Sequence, residues 1–185
     1  MGKLTVVTGG ARSGKSSFAE EIVKGISDKV LYIATANAFD DEMKHRIKKH
    51  QEQRPQSWDT LEAYRDFDKI LRSHLKDKEV VMLDCITVMI TNIMFEECLD
   101  WNNINMIEVL KIEDSVNREI NSLLEIIKDS GIPFIMVTNE LGMGLVPEFP
   151  SGRAFRDIAG KANQLLAKAA DEVYLCVSGI PVKIK

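Results

Sequence analysis

Residues 3–16 read KLTVVTGGARSGKS. The stretch opens with an apolar run, Leu4 to Val7, of the β-branched composition that strands favour. Gly9-Gly10-Ala11-Arg12-Ser13-Gly14-Lys15-Ser16 then completes the spacing GxxxxGK[ST], and Ser17-Phe18-Ala19-Glu20-Glu21-Ile22 continues with a helical pattern. Strand, glycine loop and helix in that order are the context in which this spacing binds nucleotide phosphates. The glycines let the backbone curl around an anion, so that successive N–H groups and the helix N-terminus face phosphate oxygens. Lys15 adds a point charge near the β and γ phosphates. The Ser16 hydroxyl is a ligand for Mg²⁺, an ion that keeps several waters and bridges to phosphate oxygens.

Working outward, four further short runs share the composition of the first strand: VLYIAT at 30–35, VVMLD at 80–84, FIMVT at 134–138 and VYLCVS at 173–178. Nearly continuous apolar runs suit strands buried on both faces, as in a parallel sheet. Between them lie helical periods. Phe18, Ile22 and Ile26 share one face, and Ile112, Val116, Ile120, Leu123 and Ile127 form a longer stripe. The alternation predicts one α/β domain over residues 1–185, a three-layer P-loop NTPase fold of the RecA-like type with a mostly parallel sheet. Val182 to Ile184, after Gly179-Ile180-Pro181, is expected to fold back as a short antiparallel edge strand. GMGLVPEFPSG at 142–152 reads as a surface loop. Asp84, closing VVMLD, is placed as the strand-end acid that organises Mg²⁺ and its waters.

Composition narrows the class. The chain has 185 residues, 45% hydrophobic and 28% charged, which is ordinary globular composition and excludes collagen-like and disordered readings. A net charge of −4 argues against a broad nucleic-acid footprint. Cys85, Cys98 and Cys176 are odd in number and far apart, so neither a disulfide framework nor a zinc ribbon is indicated and a reducing cytoplasm fits best. No run approaches the roughly 20 apolar residues of a membrane span.

The segment DDEMKHRIKKHQEQR at 40–54 begins with acids and then spaces Arg46, His50 and Arg54 four apart on one helical face, with Pro55 marking the end. Periodicity alone favours a solvated charged helix; two guanidinium groups flanking an imidazole also make an anion clamp around a nucleophile. At this point the sequence resembles a known family. GGARSGKSSFAEE, LYIATA, RIKKHQEQRPQSWDTLE, LDCITVMITN, VTNELGMGLVPE, FRDIAGKANQLLAKAADEVYLCVSG and the terminal VKIK are together similar to the bifunctional adenosylcobinamide kinase/adenosylcobinamide-phosphate guanylyltransferases of cobalamin biosynthesis. RI-x-x-H-x-x-x-RP-x-x-W-x-T-x-E and TNE-x-G-x-G-x-VPE are more specific than the phosphate loop, which many unrelated NTPases share. EFPSGR departs from the family's run between VPE and FRD.

The resemblance implies phosphorylation of the aminopropanol hydroxyl of adenosylcobinamide by ATP or GTP, then attachment of GMP from GTP to adenosylcobinamide phosphate. It places the guanylylated histidine on His50, GTP contacts at Ala36, Asn37 and Ala38, at Gln51, Glu52, Gln53 and Arg54, and at Glu62, and a homotrimer as the assembly. The chemistry of imidazole is compatible: a neutral ring nitrogen near pH 7 can attack the α-phosphorus of GTP, and the P–N bond formed is labile once protonated. His45 and His74 fall outside the motif position. Trp58 reads equally as a base-stacking platform or as core, and Cys85 as a small buried apolar residue. The crowded Val88–Phe95 segment has more apolar surface than one helix face needs, which the expected trimer turns towards a subunit interface. A monofunctional small-molecule kinase and a non-enzymatic nucleotide switch on the same fold stand as alternatives.

Overall fold

The computed structural model describes residues 2–37, 55–98, 100–101 and 103–185. Its strands are β1 (Leu4–Gly9), β2 (Val30–Ala34), β3 (Asp59–Glu62), β4 (Val80–Asp84), β5 (Phe134–Val137), β6 (Glu172–Val177) and β7 (Ile180–Lys183). Its described helices are α1 (Lys15–Lys24), α2 (Phe67–His74), α3 (Ile86–Glu97), α4 (Met106–Ser130) and α5 (Pro150–Ala169). The sheet order is β3-β2-β4-β5-β1-β6-β7. All neighbours are parallel except the last pair. One strand, β5, therefore stands between the strand that leads into the phosphate loop and the strand that ends in Asp84. The predicted α/β class, parallel sheet and antiparallel edge are all present.

Continuous apolar runs became central strands because both sheet faces are covered. Leu4, Val6, Leu31, Ile33, Val81, Leu83, Phe134 and Met136 pack with α2, α3, α4 and α5 on one face. Val7, Val30, Tyr32, Val80, Met82, Ile135 and Val137 pack with Ala19 and Val23 of α1 on the other. The stripe from Ile112 to Ile127 is buried along α4 as its period requires. That helix opens with a capping box in which the Asn105 side chain accepts from Ile107 N and Glu108 N and the Glu108 carboxylate accepts from Asn105 N. Such a cap stabilises a helix by about 1 kcal/mol. Phe134, fully buried at the centre of the sheet, is expected to cost roughly 3–5 kcal/mol when replaced by Ala. A urea midpoint within error of the wild type would contradict that packing.

Several local expectations need correction. Ile26 lies beyond the end of α1 and is about half exposed, so only Phe18 and Ile22 of its triplet pack on the core. Residues 150–152 are the first turn of α5, with Pro150 at the helix start where its missing N–H costs nothing. The loop thus ends at 149. The edge strand begins at Ile180 rather than Val182, after a two-residue turn in which Ser178 and Gly179 have φ of 52° and 83°, the geometry that matches strand twist in tight hairpins. β3 was not foreseen at all. It is a mostly exposed edge strand, and DTLE carries neither an apolar run nor a clear alternation.

The Val88–Phe95 segment turns inward. Met89, Ile90, Ile93 and Met94 of α3 are buried within this chain's own core, and only Phe95 is substantially exposed. The sheet face beside α3 is shared with α4 and α5, which absorb the surplus apolar surface. Exposed large apolar residues cluster instead at Met106, Ile107 and Leu110 of α4 and at Met143, Leu145, Val146 and Phe149.

Candidate active site

The phosphate loop closes on itself where β1 ends. Ser13 N donates to Gly10 O at 3.3 Å, and Lys15 Nζ to the same oxygen at 3.0 Å. Two glycines are required by contacts. A Cβ on Gly9 would stand 2.5 Å from Ser13 Oγ and 2.6 Å from Cys176 O, while Gly14, with φ of 88°, faces Gly179 Cα at 3.0 Å from where a Cβ would sit. The β6–β7 turn is thereby part of the loop's support, and Gly179 N donates to Ser13 O at 2.9 Å. Helix α1 starts with no side-chain cap and no acid in its first turn. Its N-terminal N–H groups and their partial positive charge are thus not offset by the helix's own side chains.

Strand register aligns the rest of the site. Val7, Val137, Asp84, Ala34 and Glu62 form one row across β1, β5, β4, β2 and β3 at the carboxyl edge. With strands about 4.8 Å apart, Asp84 stands roughly 10 Å from β1, and Glu62 roughly 19 Å. Asp84 is near enough to share ligands with the phosphate loop. Glu62 belongs with Ala36 and Asn37 at the far end of the edge, where Ala63 N donates to Ala34 O at 3.1 Å. Ala38, Gln51, Glu52, Gln53, Arg54, Arg46, His45 and His50 lie outside the described residues.

A polar network unforeseen from sequence ties the strand ends together. The Thr35 hydroxyl accepts from Cys85 N and donates to Cys85 O, both at 2.8 Å, and Asn92 Nδ2 donates to Thr35 O at 2.6 Å. Asn139 Nδ2 donates to Thr87 Oγ1 at 2.5 Å, and Asn163 Nδ2 to Asn139 O at 2.9 Å. Thr138 Oγ1 donates to Asn163 Oδ1 at 2.7 Å. Thr35, Asn92 and Thr138 are buried, where an unpaired polar group would cost about 1–3 kcal/mol. These bonds hold the ends of β2, β4 and β5 in fixed relation. All these residues lie in or beside the segments ATA, CITVMITN, TNE and GKANQ of the sequence, but only tertiary contact reveals their role.

Asp84 is partly buried and accepts from Tyr32 OH at 3.3 Å. Its donor chemistry, with the Ser16 hydroxyl, is hard oxygen and suits Mg²⁺. Among the described residues no group of three or more His, Cys, Asp or Glu side chains gathers into a metal cage. Burial pushes the neighbouring Cys85 thiol up to about 11, with the Asp84 charge acting the same way and Lys15 opposing. Cys85 is therefore a protonated, buried thiol and not a nucleophile. Burial also raises Cys176, again opposed by Lys15. The Lys15 charge is felt at both β4 and β6.

Trp58 is buried against Tyr32, ring centroids 6.4 Å apart, which resolves it as core. His74 sits exposed on α2, its Nδ1 2.9 Å from Ile70 O.

Comparison with known proteins fits this arrangement. The family model described as cobinamide kinase / cobinamide phosphate guanyltransferase matches residues 5–184. The chain belongs to this family. A bifunctional adenosylcobalamin biosynthesis protein of Escherichia coli is 46% identical over 182 residues, covering 98% of this chain and 99% of that one. The Salmonella typhimurium protein of the same name is 45% identical over the same shares. One from Pseudomonas aeruginosa is 34% identical over 97% of this chain and 96% of its own. The match takes in the phosphate loop and the strand row that ends at Glu62.

Proposed function

We propose that this chain phosphorylates the aminopropanol hydroxyl of adenosylcobinamide with a nucleoside triphosphate and then transfers GMP from GTP, through a guanylyl group on His50, to yield adenosylcobinamide-GDP. The observation that carries the reading is 46% identity with a bifunctional relative over 98% of this chain and 99% of that one. Residues 9–16 take the triphosphate. Lys15 offsets charge on the transferred phosphoryl group, and Ser16 and Asp84 would hold Mg²⁺, which would neutralise phosphate charge when bound. Ala36, Asn37, Ala38, Glu62 and the run Gln51, Glu52, Gln53, Arg54 receive the guanine nucleotide. Incubation of the protein with adenosylcobinamide and GTP is expected to yield two products resolved by mass, the phosphate and then the GDP derivative. Phosphorylated product alone would reduce the chain to a kinase, and neither product would reject the reading.

Asp84→Asn keeps the side chain's shape and removes the charge. Activity should fall by about 10-fold or more and recover partly as Mg²⁺ is raised, since the lost term is electrostatic. An unaltered Mg²⁺ dependence would place the metal elsewhere. We infer a homotrimer from the family resemblance; the exposed apolar residues of α4 and the 143–149 segment support self-association better than α3 does. No helix among the described residues is long and apolar enough to cross a membrane, and three buried free cysteines suit a reducing cytoplasm.

A further inference from the structure

Carboxylates at the carboxyl edge of the parallel strands include Glu62 at the end of β3, Asp84 at the end of β4, and Glu140 just past β5. The first two have been placed. Glu140 belongs to the TNE-x-G-x-G segment, which the nucleotide contacts leave without a task. Its position is firmly set. Glu140 N donates to Gly9 O of the phosphate loop at 3.1 Å, and Thr138 N to Val7 O at 3.0 Å. The preceding Asn139 is held to Thr87 at the start of α3 and to Asn163 of α5. Since β5 lies between β1 and β4, Glu140 leaves the sheet between the loop that grips the triphosphate and the strand that ends in Asp84.

The half-buried carboxylate is also bonded to a residue that lines a cavity. Its Oε1 accepts from Gly142 N at 2.6 Å, and a Cβ on Gly142 would stand 3.0 Å from that oxygen. Gly142 lines an open cavity of about 630 Å³ bounded by Met106 and Leu110 of α4 and by Pro150 and Arg153 of α5. Through Gly142, Glu140 connects the phosphate-loop side of the edge to a cavity with apolar walls and polar groups, the character of a site for an organic acceptor.

We propose that Glu140 is the general base of the phosphoryl transfer, a catalytic residue for an acceptor hydroxyl that enters from this cavity; the proposal rests on the kinase reading above. The acceptor oxygen forms a new bond to the γ-phosphorus while the bridging β,γ P–O bond breaks, its electron pair leaving on the nucleoside diphosphate. The hydroxyl proton passes to the Glu140 carboxylate and from there to solvent. No oxidant or further reactant is needed. Asp84, committed to the metal, and Glu62, four strands from β1, are less well placed for this proton.

The test compares wild type, Glu140→Gln and Glu140→Asp for phosphorylation of adenosylcobinamide, with the Kd of a fluorescent GTP analogue measured on each. Removing a general base lowers kcat by about 10²–10⁴-fold. Glu140→Gln is expected to lose at least 100-fold in kcat while nucleotide KM and Kd stay within about threefold, and Glu140→Asp, with a shorter carboxylate, to recover part of the rate. A Gln variant within threefold of wild-type kcat overturns the proposal. So does a loss in which Kd weakens in step for both variants, which marks a structural or metal-binding role. A wild type that binds the analogue and phosphorylates no cobinamide sinks the parent reading together with this one, whereas an active wild type beside an active Gln variant sinks this one alone.

Discussion

Lys15→Ala is expected to abolish phosphoryl transfer, with a loss of at least 10²–10³-fold in kcat, the range seen when one group that stabilises developing charge is removed. The side chain is partly exposed and donates to Gly10 O, within the loop itself. Its contribution to the core is correspondingly small, and folding stability should change by no more than about 0.5 kcal/mol. The loop would keep its shape through Gly9, Gly14 and the support of Gly179, so nucleotide would still find backbone donors. What is lost is the charge over the β and γ phosphates, where the transition state needs it. Thermal unfolding beside product assays checks both halves. A folded Lys15→Ala protein with near-normal phosphorylation would reject residues 9–16 as the kinase site.

His50→Ala should separate the two activities. Removing the attacking nitrogen leaves the phosphate loop untouched, so GMP transfer is expected to collapse to background while phosphate transfer to adenosylcobinamide persists. In the wild type, α-labelled GTP should leave label on the protein that survives base and is released by acid, because protonation turns imidazole into a good leaving group. Lys48 and Lys49 are close in sequence, and a lysine phosphoramidate has a similar stability profile. Peptide mapping therefore decides the site. Label retained on the His50→Ala protein, or mapped to either lysine, would falsify the assignment of His50. Simultaneous loss of both activities would instead point to one shared active centre.

The order in which chemistry became visible follows the range of the forces involved. The phosphate loop could be read directly because its elements are contiguous: apolar strand, glycine turn and helix start fall within residues 3–22. The central strands were equally plain, since burial on both sheet faces demands near-continuous Val, Ile, Leu, Phe and Met. Edge strand β3 escaped because an edge has no second face or neighbour to impose that composition. His50 and its flanking run are proposed through family resemblance, because a charged run of that period has no distinctive physical signature by itself.

The sequence by itself thus determined the α/β class, the phosphate loop and the apolar partition into strands and core helices, because each depends on residues within a few turns of one another. Tertiary structure alone decided where the strand-end carboxylates stand relative to one another. Strand β5, late in the chain, inserts between β1 and β4, and that order places Asp84 two strand spacings from the loop, Glu62 four, and Glu140 at the gap. It also decided that Met89, Ile90, Ile93 and Met94 face the core, where α4 and α5 cover them. The bonds from Thr35 to Cys85 and Asn92, and from Asn139 to Thr87, join residues 50 to 57 positions apart. No local pattern encodes such pairings: each side chain satisfies its hydrogen bonds only after the sheet has brought the strand ends together and excluded the water that served them in the unfolded chain.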